Sequence, residues 1–304
     1  MEFDPYLITN KTIDYLTISI IFGSALTSFW LLKSISLAST SKTFTLLCTS
    51  LLSLAVITID LFFRTAVLAD VSFSEASEYI PKVLEKSEYG FLWQLRIAAW
   101  VVLFFSIAYL FLRKENRFVI ATILITISFS AFLLSATGHA GEDGALTFAN
   151  FNNWLHLVGI AMWGGSVISY VLFVLPIVIK KSKMQSISLA ATQLTNIATI
   201  ALATVIITGV INTLRQVSSL TDLTDTFYGQ ILIVKLLVVA IMMGIGAFNR
   251  FYLVPSVEKS VKDQHNEIAT AKRFRTVLSV DSCIFIIILF LAVTLGMQMP
   301  PAHM

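Results

Sequence analysis

The chain closes on MQMPPAHM, where Met297, Met299 and Met304 stand with His303. Thioether sulfur and imidazole nitrogen are neutral, soft-to-borderline donors. That set suits copper and does not suit magnesium or calcium, which take oxygen ligands. Methionine is also a poor zinc ligand. Two more histidines stand in apolar settings, His139 in SATGHAGEDG and His156 in NNWLHLVGIAMWGGS. His265 lies in a polar, basic stretch and reads as solvated. The competing reading of the tail is a frayed end whose methionines fill gaps beside a helix. The choice turns on whether the other histidines reach the same side of whatever structure holds them.

That structure is a membrane bundle. Of 304 residues, 57% are hydrophobic and 13% charged, and the mean hydropathy is +0.84. A soluble domain carries roughly 25% charged residues. Eight runs are long enough to cross ~30 Å of hydrocarbon. They fall near residues 13–32, 44–68, 91–112, 118–137, 152–179, 187–214, 228–251 and 276–297. The expected fold is therefore all-α and polytopic, one integral membrane domain over residues 1–304 with eight transmembrane helices. The acidic start, MEFDPY, lacks the basic region of a cleaved signal peptide. Cys48 and Cys283 lie in separate apolar runs and form no CxxC motif.

Loop cations set the orientation. With both termini outside, the inner loops hold Lys33 and Lys42; Arg113, Lys114 and Arg117; Lys180, Lys181 and Lys183; and a basic segment from Arg250 to Arg275. The outer loops hold few. The expected localisation is the bacterial inner membrane, with both termini periplasmic. The first long outer loop, DVSFSEASEYIPKVLEKSEYG, is net acidic. Its apolar spacing fits a short amphipathic helix on the interface, although a solvated loop fits its polarity better.

On this topology His139, His156, His303 and the tail methionines all sit toward the outer side. His156 lies about a turn and a half inside its helix, where a polar residue is costly and by default functional. Trp163 shares its helical face, and Gly159, Gly164 and Gly165 allow a neighbouring helix close approach. The His156 face should point into the bundle. Gly296 and the Pro300–Pro301 pair stop the last helix.

These residues resemble the copper-resistance D (CopD) family of bacterial inner-membrane proteins. The likeness rests on TGHA at 137–140, WLHLVGIAMWGGS at 154–166 and YGQILIVKLLVVAIMMGIGAFNR at 228–250. Pro255, RFR at 273–275 and PPAH at 300–303 complete it. Residues 138–304 carry the closer likeness, and the first half matches by topology. The resemblance implies an eight-helix protein that takes copper from the periplasmic side, working with a separate CopC-like copper carrier. His139, His156, Met297, Met299, His303 and Met304 are the expected copper ligands. Cys48 and Cys283 are candidates for an inner exit, since thiolates persist on the reducing side and bind Cu(I) well. Against that, free cysteine is a common small hydrophobe in buried helices.

One group of residues does not fit a plain copper path. Asp60 and Arg64 stand four apart in the favourable order for a helical pair. Arg96 and Lys235 fall at similar depth. Snorkelling toward headgroups is one explanation. The other is a cationic cluster facing an anion inside the bundle, such as haem propionates, a quinone oxygen or a lipid phosphate. On that reading His139 and His156 would be axial ligands of a haem b, with Arg64, Arg96 and Lys235 near its propionates. The protein would then be an electron-transfer protein, quinol-linked and possibly a copper reductase. A third class is a carrier-docking or sensing protein without flux. No nucleophilic triad, phosphate loop or metalloprotease motif is present, which argues against hydrolysis. Partners are copper, the carrier and membrane lipid; no nucleic acid is expected.

Overall fold

A chain in lipid has only itself to satisfy its backbone N–H and C=O groups, so each long apolar run folds as helix. The computed structural model describes residues 5–31, 39–113, 116–180 and 184–303. Lys33, Lys114, Lys181, Lys183 and Met304 lie outside the described residues, as does the side chain of His303. The helices are α1 (Pro5–Leu31), α2 (Thr40–Ala69), α3 (Ala76–Lys86), α4 (Glu88–Leu112), α5 (Arg117–Ala136) and α6 (Phe148–Ser169). Then come α7 (Leu175–Lys180), α8 (Met184–Gln216), α9 (Asp222–Asp225), α10 (Phe227–Phe248), α11 (Val254–Lys262) and α12 (Glu267–Gly296). Eight stretches are long and apolar enough to span: α1, α2, α4, α5, α6 with α7, α8, α10 with α11, and α12. The protein is a multi-pass membrane protein.

Two boundaries differ from the hydropathy reading. α1 begins at Pro5 and α12 at Glu267, each about two turns earlier than expected. In α1 the polar run TNKTID (9–14) straddles the expected start, and Asn10, Thr12 and Asp14 in it are buried against the bundle. Hydropathy averages over a helix and does not see which face a polar residue takes. The acidic loop forms the amphipathic helix α3, with Ala76 and Val83 buried, rather than a solvated loop.

Two spans change pitch midway. α6 passes through a π turn at Tyr170–Val174 into α7, and α10 through another at Asn249–Leu253 into α11. In each case a proline, Pro176 or Pro255, follows two residues after the π turn. Proline has no N–H for the helix ladder, and its ring presses on the carbonyl four residues back. A locally widened turn accommodates both effects.

α6 and α1 are the most enclosed spans. One apolar core gathers residues of α1, α2, α4 and α5 with α6; the other gathers α6, α7, α8, α10, α11 and α12. α6 thus joins two halves. It packs on α1 at its closest point through glycine: a Cβ on Gly23 would lie 2.0 Å from the Gly165 carbonyl carbon. Nearby, the hydroxyls of Thr27 and Ser169 bond across the same seam at 2.9 Å. Small residues let the two backbones meet where no hydrophobic driving force separates protein from lipid.

Candidate metal-binding cavity

The two ends of the chain meet at one face of the bundle. A cavity of about 320 Å³ there is lined by Leu7 and Lys11 of α1 and by Gly296 and Met297 at the end of α12. Asp60 and Arg64 of α2, Tyr89 of α4, and the Thr137–Gly138–His139 turn after α5 complete its polar wall, with Glu88 and Glu142. His139 and Met297, far apart in sequence, thus share one space. The turn that presents His139 is held from two sides. Arg64 donates to the Thr137 carbonyl at 2.7 Å, and the His139 Nδ1 is 2.5 Å from Glu142 Oε1.

The contact with Thr137 revises the pairing expected for Arg64. No salt bridge joins Asp60 and Arg64 among the described residues. Thr137 is the C-cap of α5, where unsatisfied carbonyls gather the negative end of the helix dipole and draw a cation. Asp60 instead accepts from the Tyr89 hydroxyl at 3.0 Å. The Arg64 guanidinium sits 5.5 Å from the Tyr89 ring centroid, a cation–π contact that ties α2 to α4.

Arg96 is also committed. It is buried, and its Nη2 reaches both carboxylate oxygens of Asp14 at 2.7 Å. Its Nε donates to Ser130 Oγ at 3.4 Å, and Trp100 Nε1 donates to the same oxygen at 2.8 Å. The pair is neutral overall, so Arg96 has no charge left for a ligand anion. Lys235 lies on α10 at the other half of the bundle, near His156. Arg64, Arg96 and Lys235 therefore do not form one anion-facing cluster. Asp14 is the missing member of the set, an acid in the first turn of the span expected over residues 13–32. An acid inside a membrane helix is itself a signal that a partner exists.

His156 faces α8. Its Nδ1 lies 2.9 Å from Thr208 Oγ1, and a Cβ on Gly209 would be 3.1 Å from the ring. One turn earlier, Asn152 donates to the Thr208 carbonyl at 3.0 Å and to Asn212 Oδ1 at 2.7 Å. Asn212 donates to Asn153 Oδ1 at 3.3 Å, and Asn153 to Ser135 Oγ at 2.8 Å. This seam of α6, α8 and α5 was signalled by the NN pair before the histidine. Trp163, on the same face, is buried as expected.

His156 does not line the cavity that holds His139. A haem clamped between the two rings with propionates on three cations does not fit this arrangement. The two rings lie in separate places, and Arg64, Arg96 and Lys235 are spread over both halves of the bundle. Met299 is 56% exposed and does not line the cavity. The backbone of Pro301–His303 forms a 3-10 turn packed on α8. Cys48 and Cys283 are both exposed on the flanks of α2 and α12, two helices that do not pack on one another to any extent. The thiols are not brought together. Among the described residues no group of three or more His, Cys, Asp or Glu side chains is placed to hold a metal ion.

The chain is similar to known copper-resistance proteins along most of its length. Residues 2–148 match the model described as copper resistance protein D-like, N-terminal domain. Residues 189–295 match the model described as copper resistance protein D. His139 falls inside the first match, whereas His156 and the tail fall outside both. The copper resistance protein D of Pseudomonas syringae pv. tomato is 24% identical over 298 residues, covering 93% of this chain and 94% of that protein. No solved structure matches. The first half, recognised from topology alone, carries a family signature of its own. With eight apolar spans and both halves matched in order, the chain belongs to the copper resistance protein D family of copper-handling membrane proteins.

Proposed function

We propose that the cavity between the chain ends is the entry site for copper, open to the periplasm, and that the protein passes copper into or across the inner membrane. The carrying observation is that the His139 imidazole and the Met297 thioether line one cavity. A borderline nitrogen and a soft sulfur suit copper. Carboxylates of Asp60, Glu88 and Glu142 offset the nearby cations Lys11 and Arg64. The orientation rests on the basic loops at the opposite face. A periplasmic carrier of the CopC type would deliver the ion, with the methionines and histidine of the tail nearest to it. His156, in its hydrogen-bonded seam, is a second station deeper in the bundle rather than a partner of His139 in one centre.

The test is Cu(I) titration of the purified protein against a competing chelator. His139→Ala and Met297→Leu should each weaken copper binding at least tenfold. Removing residues 301–304 should slow transfer from a carrier while leaving affinity at the cavity intact. Wild-type affinity in both point variants would remove the cavity from the copper path.

A further inference from the structure

A second cavity, of about 300 Å³, lies in the half of the bundle away from the chain ends. α8 packs on α6 and α11, and α10 on α12, with little contact between α8 and α10. The gap between them opens the cavity toward lipid, past Gly246, Ala247 and Phe251. Trp163 and Val167 of α6 form part of its floor, and its walls are mostly apolar. Two polar groups inside it are anomalous. Asp281 is 2% exposed and Asn249 is 8% exposed, yet the Oδ1 of each has no hydrogen-bond partner. Among the described residues the Asp281 carboxyl makes no hydrogen bond at all.

A buried acceptor without a donor costs roughly 1–3 kcal/mol, and far more is at stake for a carboxyl within the membrane. Two such acceptors in one apolar cavity ask for a ligand that brings hydrogen-bond donors on an apolar body. A bare cation is a poorer fit. The mouth carries Arg250, whose Nη1 donates to Thr199 Oγ1, and the guanidinium repels a cation at the entrance. The cavity also offers too few oxygens to replace a hydration shell.

We infer that this cavity binds a membrane-dissolved amphiphile with a hydroxyl head, its O–H groups donating to Asp281 and Asn249 and its apolar body lying against Trp163, Leu202 and Phe274. Two sources share that chemistry, a lipophilic hydroquinone and a hydroxyl-bearing lipid. The site is separate from the copper cavity and stands independently of it.

The experiment uses the full-length protein in non-ionic detergent, titrated calorimetrically with a decyl-substituted hydroquinone, its bis-methyl ether and dioleoylglycerol. The hydroquinone or the diacylglycerol should bind at least tenfold more tightly than the ether, about 1.4 kcal/mol. Whichever does so identifies the source. Asp281→Leu should erase that preference, whereas Asp281→Asn, which keeps an acceptor oxygen, should retain it. Folding of both variants is checked by thermal melting; leucine at this position removes an unsatisfied group and should not lower the melting temperature. Binding of both the hydroquinone and the diacylglycerol no tighter than that of the ether, or an unchanged preference in Asp281→Leu, would overturn the inference. So would binding of Cu(I) alone that is lost in Asp281→Leu, which would make the cavity a cation station.

Discussion

Arg96 on α4 and Asp14 on α1 form a buried ion pair, 82 residues apart in sequence, in which one guanidinium nitrogen serves both carboxylate oxygens at 2.7 Å. Breaking such a pair from one side leaves an uncompensated charge, which costs about 3–5 kcal/mol; replacing both partners by apolar residues of similar volume is often neutral. Arg96→Met and Asp14→Leu should therefore each lower the thermal midpoint of the purified protein sharply. The double variant should recover most of the loss. A double variant no better than the worse single would show that the pair does more than satisfy itself.

Arg64 holds the turn that presents His139 through the Thr137 carbonyl. Arg64→Met should loosen residues 138–142, seen as faster amide hydrogen exchange there, and weaken copper binding several-fold without unfolding the bundle. Arg64→Lys should restore part of the protection, since an ammonium still donates but loses the planar stacking on Tyr89. Unchanged exchange in Arg64→Met would mean that Glu142 and the backbone suffice.

Cys48 and Cys283 face outward from the bundle, so Cys48→Ser with Cys283→Ser should leave copper flux in proteoliposomes at the wild-type rate. That thiol-free background also tests the orientation. A cysteine at Ser218 should react with a membrane-impermeant maleimide in spheroplasts, and one at Lys180 should react only after permeabilisation. The reverse pattern would invert the topology and turn the copper cavity toward the cytoplasm.

Hydropathy makes the spans legible because lipid enforces helix wherever the chain crosses it. An even number of spans brings both chain ends to one face, and depth follows from counting turns. In that way His139 and Met297 could be placed together from the sequence. What depth cannot tell is which way around its helix a residue points. His139 and His156 share a side of the membrane, yet His156 turns toward Thr208 on α8. The polar residues TNKT (9–12) likewise shortened the expected α1, because the inward direction of Asn10 is set by its partner Val56 in α2. Asp14 and Asp281 were each visible as ionisable residues within the expected spans; only the folded bundle supplies Arg96 for the first and a mostly apolar cavity for the second.

The seam between Gly23 and Gly165 also constrains how the protein can move. Two helices whose backbones touch, with no side chain to act as a cushion, cannot roll or slide by a fraction of a turn without collision. α1 and α6 therefore behave as a single axle through the molecule. The looser joint lies elsewhere in the bundle, between α8 and α10, which share little contact although α8 packs closely on α6 and α10 on α12.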